Sequence, residues 1–191
     1  NSILEWRDRN LDGTGAREVM TELGMPTEVL RTRRRETQWL SRQEGKTGTV
    51  GSVCVNPLAP SDAVVGLGGE QFDREMWAVT STGGRGFERP GRISDTATPA
   101  GNYASPRVAI SCTGIGEQIL ELNTAGRLAT RVIDGQPLAD ALRNTIREAA
   151  FHNAELGVIV VTADGEAGYG HTAEIMGTTI VDAGGQEIAT Y

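Results

Sequence analysis

Apolar residues recur along this chain with two periods, one of strands and one of helices. Residues 49–56 carry Val50, Val53 and Val55 with Cys54, and Asn56-Pro57 halts them, so a strand is expected there. Residues 75–82 (Glu-Met-Trp-Ala-Val-Thr-Ser-Thr) and 107–113 (Arg-Val-Ala-Ile-Ser-Cys-Thr) predict two more. Residues 156–162 (Leu-Gly-Val-Ile-Val-Val-Thr) are apolar enough for a central strand, and Asp164-Gly165 predicts a tight turn into another at 166–171. Helical spacing occurs three times. Ala16, Val19, Met20 and Leu23 repeat up to Gly24, with Pro26 just beyond. Ile119, Leu120, Leu122, Leu128 and Val132 mark a second helix that ends at Asp134-Gly135. Gly126 within it costs roughly 1 kcal/mol relative to alanine, so irregularity is expected there. Pro137 stands near the first position of a third helix, with Leu138, Leu142, Ile146 and Ala149-Ala150 on one face. Strands, then helices, then strands predict an α+β layered domain.

Topology places two threonines together. Pro57 to Arg74 is rich in Pro, Gly and Asp and reads as a long hairpin connection between the first two strands. Thr49 begins one strand and Thr82 ends the other, so an antiparallel pair sets them at the same end. The connection falls at the opposite end, away from any chemistry they perform.

Composition narrows the class. The 191 residues suffice for a sizeable core, while 25 glycines and 5% aromatics favour tight turns and backbone-lined sites. The net charge of −7 is uneven: residues 1–48 hold 9 basic and 8 acidic side chains (+1), and 49–191 hold 9 and 17 (−8). An acidic body argues against nucleic acid as the main partner. Arg31-Thr32-Arg33-Arg34-Arg35-Glu36 lacks interleaved aromatics, and reads as a solvated linker or helix face in preference to a docking patch. Cys54 and Cys112 lie in apolar runs and are expected to be buried and reduced. No zinc spacing is present, and His152 and His171 are isolated, so no metal site is expected. The absence of a signal-like segment or long apolar span predicts a soluble, cytoplasmic piece with no membrane partner, although Asn1 is not a natural start.

Gly48-Thr49 is where chemistry enters. A threonine opening a strand is ordinarily just a good β-former. Cleavage of the Gly48–Thr49 bond, however, would give Thr49 a free α-amine beside its own hydroxyl. Such an amine has a pKa of roughly 7.7–8.0, suited to a general base at neutral pH. The polar stretch 41–48 is a plausible place for a nick, and glycine before threonine tolerates the conformations that self-cleavage needs.

Four segments follow one another: Gly48-Thr49-Val50-Gly51, Thr80-Ser81-Thr82-Gly83-Gly84, Pro90-Gly91-Arg92-Ile93-Ser94-Asp95, and Ser111-Cys112-Thr113-Gly114-Ile115-Gly116-Glu117. Each alone is ordinary turn material. Together they resemble the plant-type L-asparaginase and isoaspartyl aminopeptidase family of N-terminal-nucleophile hydrolases, over about residues 14–176. The resemblance implies a four-layer αββα sandwich and a precursor cut before a threonine into associated α and β chains. Residues 1–48 would be the end of the α region and linker, and residues 49–191 the catalytic β region. By the same resemblance Thr49 matches the nucleophile and Thr82 the threonine supporting it. Arg92 and Asp95 match the grip on the substrate α-carboxylate and α-ammonium; without the flanking motifs they would read as a surface i,i+3 ion pair. Thr113 and Gly114 match the oxyanion hole, and Gly116 a backbone contact to the ammonium, where the plain alternative is a strand-to-helix turn.

The implied reaction is hydrolysis of L-asparagine or β-aspartyl dipeptides through a β-aspartyl ester on Thr49. The implied partners are a small zwitterionic substrate and the α-subunit region, in a dimer of αβ heterodimers. No cofactor is implied; any structural alkali-metal ion belongs to the α region outside this chain. Departures from the pattern are Ser94 where the family has glycine, Thr96-Ala97-Thr98-Pro99 where it favours Ser-Pro, the long Pro57–Arg74 connection, and a tail, His171-Thr172-Ala173-Glu174-Ile175-Met176, that matches only in part. The alternatives are a glycosylasparaginase-like or protein-cleaving relative, and a non-catalytic interaction module.

Overall fold

Alternating side chains give this protein its central ribbon. In the computed structural model, which describes residues 13–26, 33, 48–57, 64–65, 71–84, 88, 91–181 and 187–190, the chain divides into two units, Asn1–Gln43 and Glu44–Tyr191. The first contains helix α1 (Gly13–Glu22). The second opens with β1 (Thr49–Pro57), which leads through a small hairpin of β2 (Val64–Val65) and β3 (Gln71–Phe72) into β4 (Arg74–Thr82). β1 and β4 pair antiparallel without a slip, from Thr49 opposite Thr82 to Pro57 opposite Arg74.

A second sheet has the strand order β5 (Asn102–Ala104), β6 (Val108–Gly114), β7 (Leu156–Thr162), β8 (Ala167–His171), every pair antiparallel. Between β6 and β7 the chain forms α2 (Gly116–Leu122), α3 (Thr124–Ile133) and α4 (Leu138–Phe151). β9 (Thr179–Val181) and β10 (Glu187–Thr190) make a separate pair.

Period-two alternation sorts the two faces of the larger sheet. Val108, Ile110 and Cys112 on β6, with Leu156, Val158 and Val160 on β7, join Ile119, Ala125, Leu128 and Leu138 of the helices in the buried core. The intervening residues face the ribbon. Ser111 Oγ lies 2.7 Å from Thr80 Oγ1, and Asn102 Nδ2 donates to the Ala78 carbonyl at 3.2 Å. A side chain at Gly51 would occupy the position of the Ser111 hydroxyl, so glycine allows this close approach of the sheets. Helices, a four-stranded sheet and the β1–β4 ribbon are thus three successive layers. The ribbon's other face is open: Val50 is 73% and Val79 57% exposed, and Trp77 is exposed beside them.

Two expectations are corrected. The helical stretch breaks at Asn123, which sits left-handed at φ 47° between α2 and α3, while Gly126 lies inside α3. Asparagine tolerates that conformation better than other side-chain-bearing residues, and there it ends one helix and starts the next. Cys54 is exposed, because alternation points it to the open face of the ribbon; Cys112 is buried, and both are free. Of the Arg31–Glu36 charge run only Arg33 is among the described residues, and it is exposed. The 41–48 stretch lies outside them except for Gly48, which is also exposed. Among the described residues no helix is long and apolar enough to cross a membrane.

Candidate active site

The continuous β1–β4 register carries the candidate nucleophile to the open end of the ribbon. Thr49 Oγ1 donates to Thr82 Oγ1 at 3.2 Å, and the Gly84 N–H donates to the same Thr82 oxygen at 3.2 Å. A hydroxyl that accepts two hydrogen bonds can hold the nucleophile oxygen in one orientation. Gly84 reaches this position through φ +74°, a conformation glycine adopts without strain. In the continuous chain Thr49 N is a peptide nitrogen, preceded by exposed Gly48.

Arg92, Asp95 and Gly116 form a second cluster. Asp95 is 5% exposed and opens a single 3₁₀ turn, Asp95–Ala97, for which Ser94 is the N-cap. Ser94 Oγ donates to Asp95 Oδ1 at 2.9 Å, while Asp95 Oδ2 is buried without a hydrogen-bond partner. An unpaired buried carboxylate oxygen is costly, and a charged ligand group would relieve that cost. Gly116 backs the pair: a Cβ there would lie 2.6 Å from Asp95 Oδ1 and 2.9 Å from Arg92 Nη2. Only glycine leaves room for both charged groups.

Thr113 and Gly114 end β6 at the start of α2. Ser111 faces the ribbon, so Thr113, two residues on, faces the same way. Gly114 has φ +127° and is exposed. The tail also returns here. Met176 packs over Gly157, which is opposite Thr113 in the sheet, and the Thr172 hydroxyl donates to the Ala154 carbonyl at 2.6 Å.

A family model described as Asparaginase matches residues 2–190. The chain belongs to this family, the plant-type asparaginases and isoaspartyl peptidases. Among curated relatives, an isoaspartyl peptidase/L-asparaginase of Nostoc sp. is 37% identical over 175 residues, which cover 88% of this chain and 55% of that protein. Another protein of that name, from Synechocystis sp., is 35% identical over 173 residues, 88% of this chain and 53% of that protein. A plant-type L-asparaginase of Pyrococcus furiosus is 33% identical over 125 residues, 63% of this chain and 41% of that protein. The chain spans about half the length of the curated relatives it matches.

Several residues at the site of this asparaginase-family chain escaped the sequence reading. Glu88 Oε1 is 2.6 Å from Arg92 Nη1, and Glu117 Oε1 is 2.7 Å from Arg92 Nε. The hydrogen bond to Glu117 and the charges of Glu117, Glu88 and Asp95 hold the Arg92 guanidinium above its ordinary pKa, against the effect of burial. Ser94 was visible as a departure from the family pattern, but its bond to Asp95 was not. Thr80 and Ser111 stood inside quoted segments, yet nothing local in the sequence signalled that they bond across sheets. Burial, and secondarily the Asp95 charge, push the Cys112 thiol up, which leaves it an unreactive core residue. Among the described residues no cluster of three or more His, Cys, Asp or Glu side chains could hold a metal ion.

Proposed function

We propose that this chain carries the nucleophile of a self-processing amidohydrolase acting on L-asparagine and β-aspartyl dipeptides. The observation that carries the reading is the Thr49–Thr82 hydroxyl pair at 3.2 Å, directly behind exposed Gly48, in a chain of the asparaginase family. Relatives named isoaspartyl peptidase/L-asparaginase support the substrate class.

In this reading cleavage of the Gly48–Thr49 bond frees the Thr49 amine, which takes the proton from the Thr49 hydroxyl. Oγ1 attacks the substrate β-amide carbon. Thr113 Oγ1 and the Gly114 N–H stabilise the developing oxyanion. The C–N bond then breaks, and the protonated amine returns its proton to the leaving ammonia or amine. Water hydrolyses the remaining β-aspartyl ester, which releases aspartate and restores Thr49. Arg92 takes the α-carboxylate, while Asp95 and the Gly116 backbone take the α-ammonium, so two opposite charges at fixed spacing orient a small zwitterion. The orphaned Asp95 Oδ2 is what an ammonium would satisfy. No cofactor takes part.

The same reading makes residues 1–48 the end of an α region and 49–191 the β region of an αββα sandwich that assembles as a dimer of αβ heterodimers. Its support is the open apolar face of the ribbon at Val50, Trp77 and Val79, which a further layer would cover. A cytoplasmic location agrees with the exposed free thiol of Cys54. The test is N-terminal sequencing after incubation, together with ammonia release from L-asparagine and a β-aspartyl dipeptide. A new N-terminus at Thr49 with release of ammonia is expected. A chain that stays uncut and inactive overturns the reading in favour of an interaction module.

A further inference from the structure

Arg92 already holds two carboxylates of its own chain. A guanidinium offers two edges for bidentate binding, Nε with Nη2 and Nη1 with Nη2. Glu117 takes Nε, which engages the Nε–Nη2 edge, and Glu88 stands at Nη1, beside the other. Nη2 and Asp95 Oδ1 both lie close to Gly116. An arriving carboxylate therefore meets Glu117 on one edge and the Glu88 carboxylate beside the other.

The surroundings of the two glutamates separate their roles. Glu117 stands in the first turn of α2, next to Gly116. Glu88 fills the space that a side chain at Gly84 would occupy, and the Gly84 N–H is bonded to Thr82. Its carboxylate thus joins the neighbourhood of Gly84 to the guanidinium. A substrate with its β-amide at Thr49 and its α-carboxylate at Arg92 needs that space.

We propose that Glu88 is an internal stand-in for the substrate carboxylate, a specificity-determining residue that must be displaced before Arg92 grips its ligand. This rests on Arg92 being the carboxylate seat of the proposed function. Glu88 sets a threshold: ligands that present both a carboxylate to Arg92 and an ammonium to Asp95 repay its displacement, and simple carboxylates do not.

The test is titration calorimetry of L-aspartate against the full protein and its Glu88→Gln and Glu88→Ala variants. Both variants should bind aspartate about fivefold more tightly, the gain expected from removing a partly exposed competing ion pair. 3-Aminopropanamide, which has the amine and the amide but no carboxylate, should gain nothing. The improvement for L-asparagine should fall in KM and not in kcat. Unchanged or weaker aspartate binding in both variants overturns the proposal, as does an equal gain for 3-aminopropanamide or no aspartate binding in any form. Tighter aspartate binding without asparagine hydrolysis would leave the gate standing and strike only the proposed function.

Discussion

The two main sheets of the larger unit are built from similar strands but finished differently. The β5–β8 sheet is covered on one face by α2, α3 and α4 and on the other by the ribbon, and Val108, Ile110, Val158 and Val160 are all buried. The β1–β4 ribbon has one covered face and one open face, and it bears Thr49 and Thr82 at its free end. The first sheet is a platform whose stability comes from apolar burial. The second is a presenting element, held to the platform by polar contacts such as Thr80–Ser111 and Asn102–Ala78. The apolar platform and the threonine-bearing ribbon should thus leave different traces when changed.

The sharpest contrast is expected at the ribbon's end. Thr49→Ala should abolish both cleavage and hydrolysis while the fold persists; intact mass, ammonia release and circular dichroism check this. A mutant that still splits at residue 48 would remove the nucleophile from the account. In the platform, Leu128→Ala empties a fully buried position and should cost about 2–5 kcal/mol in denaturant unfolding. The ribbon counterpart Val79→Ala, on the open face, should stay within about 0.5 kcal/mol. Equal losses at the two positions would mean that the open face is covered in solution.

Arg92→Ala should permit cleavage but reduce asparagine turnover about a hundredfold, the loss expected for charge-assisted contacts to a carboxylate. Normal turnover by that mutant would move the carboxylate seat elsewhere. A modest effect is expected at Glu148. Its carboxylate is paired with Arg127 and accepts from Arg131 at 2.8 Å, while Arg131 also donates to Thr145 Oγ1 at 2.6 Å, which ties α3 to α4. Burial alone would raise the Glu148 pKa. The Arg131 hydrogen bond and the charges of Arg127, Arg131 and His152 outweigh burial and hold it below its ordinary value. A carboxyl depressed in this way stabilises the fold above its unfolded pKa, and that contribution is lost as pH falls through the lower, folded value. Glu148→Gln should therefore cost about 1 kcal/mol near pH 7. The gap to the parent should close in acid, as thermal melts across pH will show.

Much of this is legible in the sequence alone. The residues of β1, β4, β6 and β7 announce themselves by alternation or by unbroken apolar runs, and chain direction alone sets Thr49 beside Thr82. The order of glycine- and hydroxyl-bearing segments was enough for the family. The break at Asn123 was misread because propensity singles out glycine, whereas the left-handed residue was an asparagine. Cys54 was misjudged because an apolar run does not say which face of a ribbon will be covered.

Spacing along one strand and direction along one chain are local properties, and residues a few positions apart encode them in full. Contacts between separate segments are of another kind. Ser111 against Thr80, Glu117 across to Arg92 and Asp95 sealed behind Gly101 and Gly116 exist only because separate segments fold back over one another. Such meetings depend on the summed shape of many side chains, so folding in three dimensions brought Glu117 to Arg92, while the chain's own pattern had already chosen the place of Thr49.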